Sequence, residues 1–128
     1  MRRAQSSMEF FVLSGLAFFV SIIFTIYAID ELKSITSQRE YNLLKDLGIA
    51  LQKEALIASS VEDGYLRTFT IPQTLQATLE YSIQMSNTSL SIESAKTAFT
   101  ASIPQLQGNF SKGANKIEKR DGVVYVNS

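Results

Sequence analysis

The sequence predicts an α+β fold, with one long N-terminal helix and a small C-terminal domain of antiparallel β-strands packed on the upper half of that helix. Two observations lead to this prediction. Residues 10–29 carry no charge, and apolar residues keep a helical spacing from there to about residue 60 without a proline. Beyond Gly64 the apolar residues alternate with polar ones, which is typical of strands with one buried face.

The first element is the uncharged segment at residues 10–29. As a helix its twenty residues extend about 30 Å, the thickness of the hydrocarbon core of a bilayer. A secretory signal peptide has a shorter apolar stretch followed by a small-residue cleavage site, and this segment has neither property. Arg2 and Arg3 precede it, and positive charges favour the cytoplasmic side. We therefore expect residues 5–29 to be the membrane-spanning half of the helix, with the N-terminus inside and the rest of the chain outside.

The second element is the continuation of the helix over residues 30–62. One apolar ridge at helical spacing contains Leu32, Ile35, Leu44, Leu47, Leu51, Ala55 and Ala58. A second ridge repeats every seven residues and contains Leu43, Ala50 and Ile57. A helix with two apolar faces can pack one on its own domain and the other on a neighbouring molecule. We expect the helix to stop at residues 62–64, where Gly64 can supply the left-handed conformation that ends many helices.

The remaining elements are about five or six short strands within residues 63–128, which we expect to form one antiparallel sheet. Alternation predicts a strand at residues 65–71, ended by Pro72, and a hairpin at residues 79–92 with a polar turn at 86–89. Another strand, at residues 98–103, ends at Pro104 and precedes a loop at 108–113. Asp121 and Gly122 are the two-residue signal for a tight hairpin between residues 116–120 and 123–127.

Composition argues against several functions. The formal charge is zero over 128 residues, so nothing suggests a surface for nucleic acid. The chain has no cysteine and no histidine, and therefore no disulfides, thiol nucleophiles, imidazole bases or usual zinc ligand sets. We expect no enzymatic activity, no cofactor and no metal. Four cations make the carboxyl end locally basic: Lys112, Lys116, Lys119 and Arg120. We expect them to be solvated; the alternative is that they meet acidic surfaces or neighbouring subunits.

The residues before the apolar segment carry a family resemblance. In order they are Arg2, Arg3, Ala4, Gln5, Ser6, Ser7, Met8, Glu9 and Phe10. This order resembles the class III signal peptide of archaeal type IV pilins, in the subgroup marked by Gln-x-Ser-x-Glu-aromatic. Ala4 stands where glycine is usual and Phe10 where tyrosine is common. The resemblance implies that a prepilin peptidase, recognising Arg2, Arg3, Gln5, Ser7 and Glu9, cuts the Ala4–Gln5 bond and removes residues 1–4 as a leader.

Glu9 acquires a role from this implied cut. A carboxylate at the edge of hydrocarbon is unfavourable. Cleavage creates an α-amine on Gln5, one helical turn away, so the two opposite charges can pair within a subunit or between neighbours. The alternative is that Glu9 lies among the lipid headgroups with no such role.

Small side chains line one side of the span. Spacings of 3, 4, 4 and 3 put five of them within an arc of about 80°; they are Ser14, Ala17, Ser21, Thr25 and Ala28. Small residues let helices approach closely in lipid, so we expect this assembly face to pack against other copies. Such residues are also common in membrane helices that do not assemble.

Two N-x-[ST] sequons are present, at Asn87 in the predicted turn and at Asn109 in the predicted loop. The resemblance implies their use, because archaeal pilins are often N-glycosylated. About one chance match to so short a motif is expected in this composition, which leaves the occupancy of each site open.

The resemblance implies a structural subunit of an archaeal type IV adhesion pilus, a homo-oligomeric helical filament on the cell surface. Its further partners would be the prepilin peptidase, the membrane before assembly, the assembly platform with its ATPase, and surfaces or cell-surface ligands. Three alternatives stay open. They are an archaellum-type motility subunit, a minor or tip module whose β domain binds a ligand, and a single-pass membrane protein that is not processed.

Overall fold

The computed structural model describes residues 2–127. Met1, the first residue of the predicted leader, and Ser128, the last residue of the predicted head domain, lie outside the described residues. The chain forms two compact units, one up to Thr36 and the other from Ser37 onward. Helix α1, Arg2–Ser60, runs through the whole of the described first unit and begins the second. The predicted α+β class, with a long apolar helix ahead of a β-rich region, is confirmed.

The described part of the first unit is a single helix with all of its side chains exposed. Every residue from 2 to 36 is exposed, including large apolar side chains such as Phe10, Phe24 and Tyr27. By length and composition this helix can cross a membrane, a property that an anchor and a signal sequence share. The unbroken helix is physically reasonable because residues 2–36 contain no proline and a single glycine, Gly15.

The second unit contains seven strands in two sheets. The strands are β1 Leu66–Ile71, β2 Ser82–Met85, β3 Ser89–Glu93, β4 Ala98–Ser102, β5 Gln107–Gly108, β6 Gly113–Arg120 and β7 Val123–Val126. One sheet has the order β1-β6-β7-β5 and the other the order β2-β3-β4. The expectation of a single antiparallel sheet is therefore wrong, and β5 even runs parallel to β7. Gly108 permits this pairing, because a Cβ at that position would collide with the carbonyl oxygen of Val126.

Both predicted hairpins are confirmed. β2 and β3 pair in register around a turn in which the Ser86 N–H donates to Ser89 O over 2.9 Å. β6 and β7 pair around Asp121 and Gly122, whose φ angles of 51° and 76° suit a tight two-residue hairpin. The strand before Pro72 ends at Ile71 as expected, and the strand before Pro104 ends at Ser102, one residue earlier than expected. A proline N cannot donate to a ladder, which is consistent with both ends.

The core of the second unit lies between α1 and the sheets. The helix buries Leu44, Gly48, Leu51, Ala55 and Ala58. The largest fully buried strand side chains are Ile71, Leu90, Ile92, Ile117 and Val126. The first apolar ridge is thus confirmed from residue 44 onward, while its earlier members, Leu32 and Ile35, are exposed because they belong to the first unit. On the second ridge Leu43 is half-buried, and Ala50 and Ile57 are exposed.

The helix ends at Ser60, two residues before the expected stop. The Val61 N–H still donates to Ile57 O, and Gly64 takes a φ of 98° three residues later. Lys119, from β6, donates from Nζ to Ser59 O at 2.8 Å and to Val61 O at 2.7 Å. The last turn of α1 has no basic side chain of its own, so Lys119 supplies the cation that the negative helix end favours.

Candidate assembly face and modification sites

The implied leader and cleavage bond lie in the first turns of α1. Residues 2 to 9 are helical and exposed, including Ala4 and Gln5 on either side of the bond. The first turn contains Arg2 and Arg3 and has no acidic residue. Cations are unfavourable at the positive end of a helix dipole, so Arg2 and Arg3 carry an electrostatic cost at this end of α1.

Glu9 lies on the same side of α1 as Gln5, with Met8, Val12 and Leu13 completing a shallow apolar surface around it. Its carboxylate has no ion-pair partner among residues 2–127. In a chain that begins at Gln5, Glu9 would lie just beyond the first helical turn, where a negative charge is stabilising. The pairing of Glu9 with an α-amine concerns the processed chain and stays a prediction.

The assembly face is continuous, because α1 is helical at all five of its positions and each is exposed. The Thr25 hydroxyl donates to Ser21 O over 2.8 Å, so this polar group is satisfied inside its own helix. Whether another helix packs there is not tested by a single chain, and the assembly role of the face stays a prediction.

The Asn87 sequon lies at the β2–β3 turn. Asn87 and Thr88 are exposed, and Ser89 is the half-buried first residue of β3. The turn is closed by the Ser86–Ser89 bond and by the Ile103 N–H, which donates to Thr88 O at 3.0 Å. None of its three side chains belongs to the core.

The Asn109 sequon lies between β5 and β6 and is held more firmly. Asn109 and Ser111 are exposed, but Phe110 between them is 4% exposed and belongs to the core. The Phe110 ring packs edge-on against Phe69 with 5.8 Å between ring centroids. The Phe110 N–H points at Met85 Sδ from 3.0 Å. This sequon is therefore part of the packing of the second unit.

Two asparagines close the Asn109 loop, and sequence reasoning missed both. Asn115 is 2% exposed, accepts from the Ser111 N–H at 2.9 Å, and donates to Ser111 O and Gly113 O. Asn127 donates to Asn109 O at 2.9 Å and to Asn115 Oδ1 at 2.8 Å. No local sequence pattern indicated either role. Asn127 has a φ of 55°, a value that asparagine tolerates better than most residues.

The other polar side chains of the second unit form no concentrated site. Among the described residues there is no group of three or more acidic side chains placed to hold a metal ion. Burial raises the pKa of Tyr81, whose hydroxyl donates to Pro72 O. Glu54, half-buried, pairs with Arg67 at 3.2 Å, which ties α1 to β1.

Fold and exposed surfaces together define a broad class, a protein with a long apolar N-terminal helix and a separate β-rich unit. Comparison with protein-family models, with curated proteins and with solved structures finds no match for this chain.

Proposed function

We propose that the chain is the precursor of a filament subunit of the archaeal type IV pilin class, with a structural rather than a catalytic role. One observation supports this proposal above the others. The motif at residues 2–10 forms the start of a helix whose apolar side chains are exposed throughout the first unit. So large an apolar surface must be shielded from water. The membrane would shield it before assembly, and the helices of other copies would shield it in the filament.

The leader chemistry fits a precursor that is activated by cleavage. Arg2 and Arg3 would hold the N-terminus inside and oppose the helix dipole until they are removed. The cut after Ala4 would then leave Gln5 with a new α-amine one turn from Glu9. Extraction from the membrane by an assembly platform with its ATPase would bring this pair among the helices of neighbouring subunits.

The second unit would form the outer part of the filament. Its helix residues 44–58 bury one face against the two sheets, which leaves the exposed side of the second ridge, Ala50 and Ile57, for neighbours. Strand surfaces and the turn carrying Asn87 would face outward, where attachment to surfaces or cells takes place.

The first test is the mature amino terminus. We expect the protein, expressed with an archaeal prepilin peptidase, to begin at Gln5, with the mass of residues 1–4 lost. Arg3→Glu should slow processing, whereas Lys53→Glu, a matched charge reversal on an exposed part of α1, should not. A mature chain that keeps Met1 would overturn the proposal and leave a plain membrane anchor as the function of the helix.

The second test is assembly. Ala17→Leu adds bulk on the assembly face, and Gly15→Leu adds more bulk two residues away, where no described atom lies within 4 Å of the new Cβ. Both variants should insert and be processed, but Ala17→Leu should abolish filaments in electron micrographs and Gly15→Leu should not. Equal assembly of the two variants would remove the packing role of the face.

A tip or minor module is separated from a major subunit by abundance. A major subunit should dominate the protein of sheared filaments, whereas a tip module should be rare there and its loss should leave filaments intact. Glu9→Gln tests the pairing role of Glu9 instead. A neutral amide cannot form an ion pair with the α-amine, so this variant should reduce assembly without affecting membrane insertion.

A further inference from the structure

The two sequons differ in what the folded second unit requires of them, and this difference sets when each can be modified. N-glycosylation joins the asparagine Nδ2 to C1 of a lipid-linked oligosaccharide. The bond from C1 to the lipid phosphate breaks, the lipid phosphate leaves, and Nδ2 gives up a proton to a base of the transferase. The enzyme must surround the amide and bind the hydroxyl two residues later, so the whole tripeptide has to leave the protein surface.

Asn87 can meet that requirement with little disturbance. Opening the β2–β3 turn breaks the bonds of Ser86 with Ser89 and of Thr88 with Ile103, and it frays the first residue of β3, Ser89, from its place opposite Ser102. It withdraws no side chain from the core. The asparagine and the residue after it are already exposed.

Asn109 cannot leave the surface without dismantling part of the core. Phe110 would have to withdraw from its contact with Phe69. Ser111 would lose both bonds to Asn115, at 2.9 and 2.6 Å, and Asn109 O would lose the bond from Asn127. All three residues of the sequon are therefore fixed.

The residues that fix the Asn109 loop come later in the chain. Asn127 follows Asn109 by 18 residues, and the β5–β7 pairing beside the loop also needs residues 125 and 126. During export from the N-terminal side, Asn109 would emerge before these residues and stay open until they dock. We infer that Asn109 accepts a glycan only before β7 docks, whereas Asn87 also accepts one on the folded unit. The inference rests on the proposed function only for the external location of both sites.

The test uses the full chain, purified without glycans in detergent micelles, together with an oligosaccharyltransferase and its lipid-linked oligosaccharide. Mass spectrometry follows occupancy at each asparagine over time. On the folded chain we expect modification at Asn109 to be at least about 100-fold slower than at Asn87, because Phe110 burial and three hydrogen bonds must be lost first. Peptides spanning the two sequons should react at comparable rates.

A variant isolates the contribution of Asn127. Asn127→Ala removes the bonds that this side chain donates to Asn109 O and Asn115 Oδ1 and the one it accepts from the Lys116 N–H. It should raise the Asn109 rate about tenfold, with the Asn87 rate unchanged. Gln107→Ala, which alters an exposed side chain on the adjacent β5, is the control and should leave both rates as they are.

Equal rates at the two sites of the folded wild-type chain would overturn the inference, as would an Asn109 peptide that the enzyme does not modify. An Asn127→Ala chain with an unchanged Asn109 rate would show that Asn127 does not close the loop. These results do not depend on filament assembly, and an amino terminus at Met1 would refute the filament proposal while leaving the order of modification standing.

Discussion

Replacement of Lys119 by methionine tests how the end of α1 is held. The Lys119 ammonium reaches across from β6 and donates to Ser59 O and Val61 O, at 2.8 and 2.7 Å. Methionine keeps most of the aliphatic stem of the side chain and removes the charge and both donors. Because the last turn of the helix has no basic residue of its own, no other side chain of that turn can replace the lost cation.

The expected loss in the free energy of unfolding follows from these contacts. A hydrogen bond from a charged donor contributes about 1.5–3 kcal/mol when it is buried, and the two bonds of Lys119 are only partly buried and share one ammonium. A cation at a helix C-terminus adds about 0.3–1 kcal/mol. We expect Lys119→Met to cost about 2–3 kcal/mol, which lowers the melting temperature of a unit of this size by about 10–20 °C.

Thermal unfolding followed by near-ultraviolet circular dichroism of the full chain in micelles measures this shift. Lys116→Met is the matched control on the same strand. Lys116 is 46% exposed on its side chain and pairs with Glu118 at 3.3 Å, a contact worth about 0.2–1 kcal/mol. A Lys119→Met shift no larger than that of Lys116→Met would refute the capping role of Lys119.

Three further predictions concern the second unit. Gly48→Ala should gain about 1 kcal/mol of helix propensity but lose about 1–3 kcal/mol to overpacking, because the new Cβ would lie 2.6 Å from Phe99 Cε1; Phe99→Leu in the same chain should restore the melting temperature. Burial raises the pKa of the folded chain's Tyr81 above 10.0, the value in the unfolded chain, so Tyr81 ionises first in the unfolded chain. The contribution of Tyr81 to the free energy of unfolding is therefore complete below pH 10.0 and should decline as the pH rises towards the folded pKa. Tyr81→Phe should cost about 1 kcal/mol near pH 8 and flatten this alkaline decline in melts at graded pH. A fragment of residues 37–127 should give a cooperative melt, whereas residues 63–127 should not, because Leu44 and Leu51 of α1 are part of the core.

Sequence was sufficient for the features that depend on local pattern. The helix follows from an unbroken apolar periodicity without proline, and its buried face from residue 44 onward follows from the same spacing. Pro72 and Pro104 marked strand ends, and Asp121 with Gly122 marked the β6–β7 hairpin. In each case the pattern lies within one continuous segment of the chain, so the prediction did not depend on partners distant in sequence.

Features set by distant partners could not be read in the same way. β5 has only two residues, too few to show a period, and it exists because Gly108 lets the backbone approach Val126. Lys119 was expected to be solvated, yet its partners lie up to 60 residues earlier in the chain. A polar residue in a strand usually faces water, but Asn115 is buried. Its burial depends on four hydrogen bonds that no local sequence pattern encodes.

Asn115, Asn127 and Lys119 also explain how a small unit without cysteine secures its carboxyl end. The chain can form no disulfide to fix its final strands. Instead, hydrogen bonds hold both ends of β6. Near one end Lys119 bonds to the C-terminus of α1, and near the other Asn115 bonds to the Asn109 loop and to Asn127 after β7. Each of these hydrogen-bonded contacts replaces hydrogen bonds to water, so each contributes a few kcal/mol at most to the free energy of unfolding. The Asn115 contact also orients the strand, because a one-residue slip of β6 would turn Asn115 out of the core, break its hydrogen bonds and turn the exposed Lys116 inward. The hydrogen bonds that fix the register of β6 are thus the same ones that close the Asn109 sequon, which is why we expect folding and modification at that site to exclude each other.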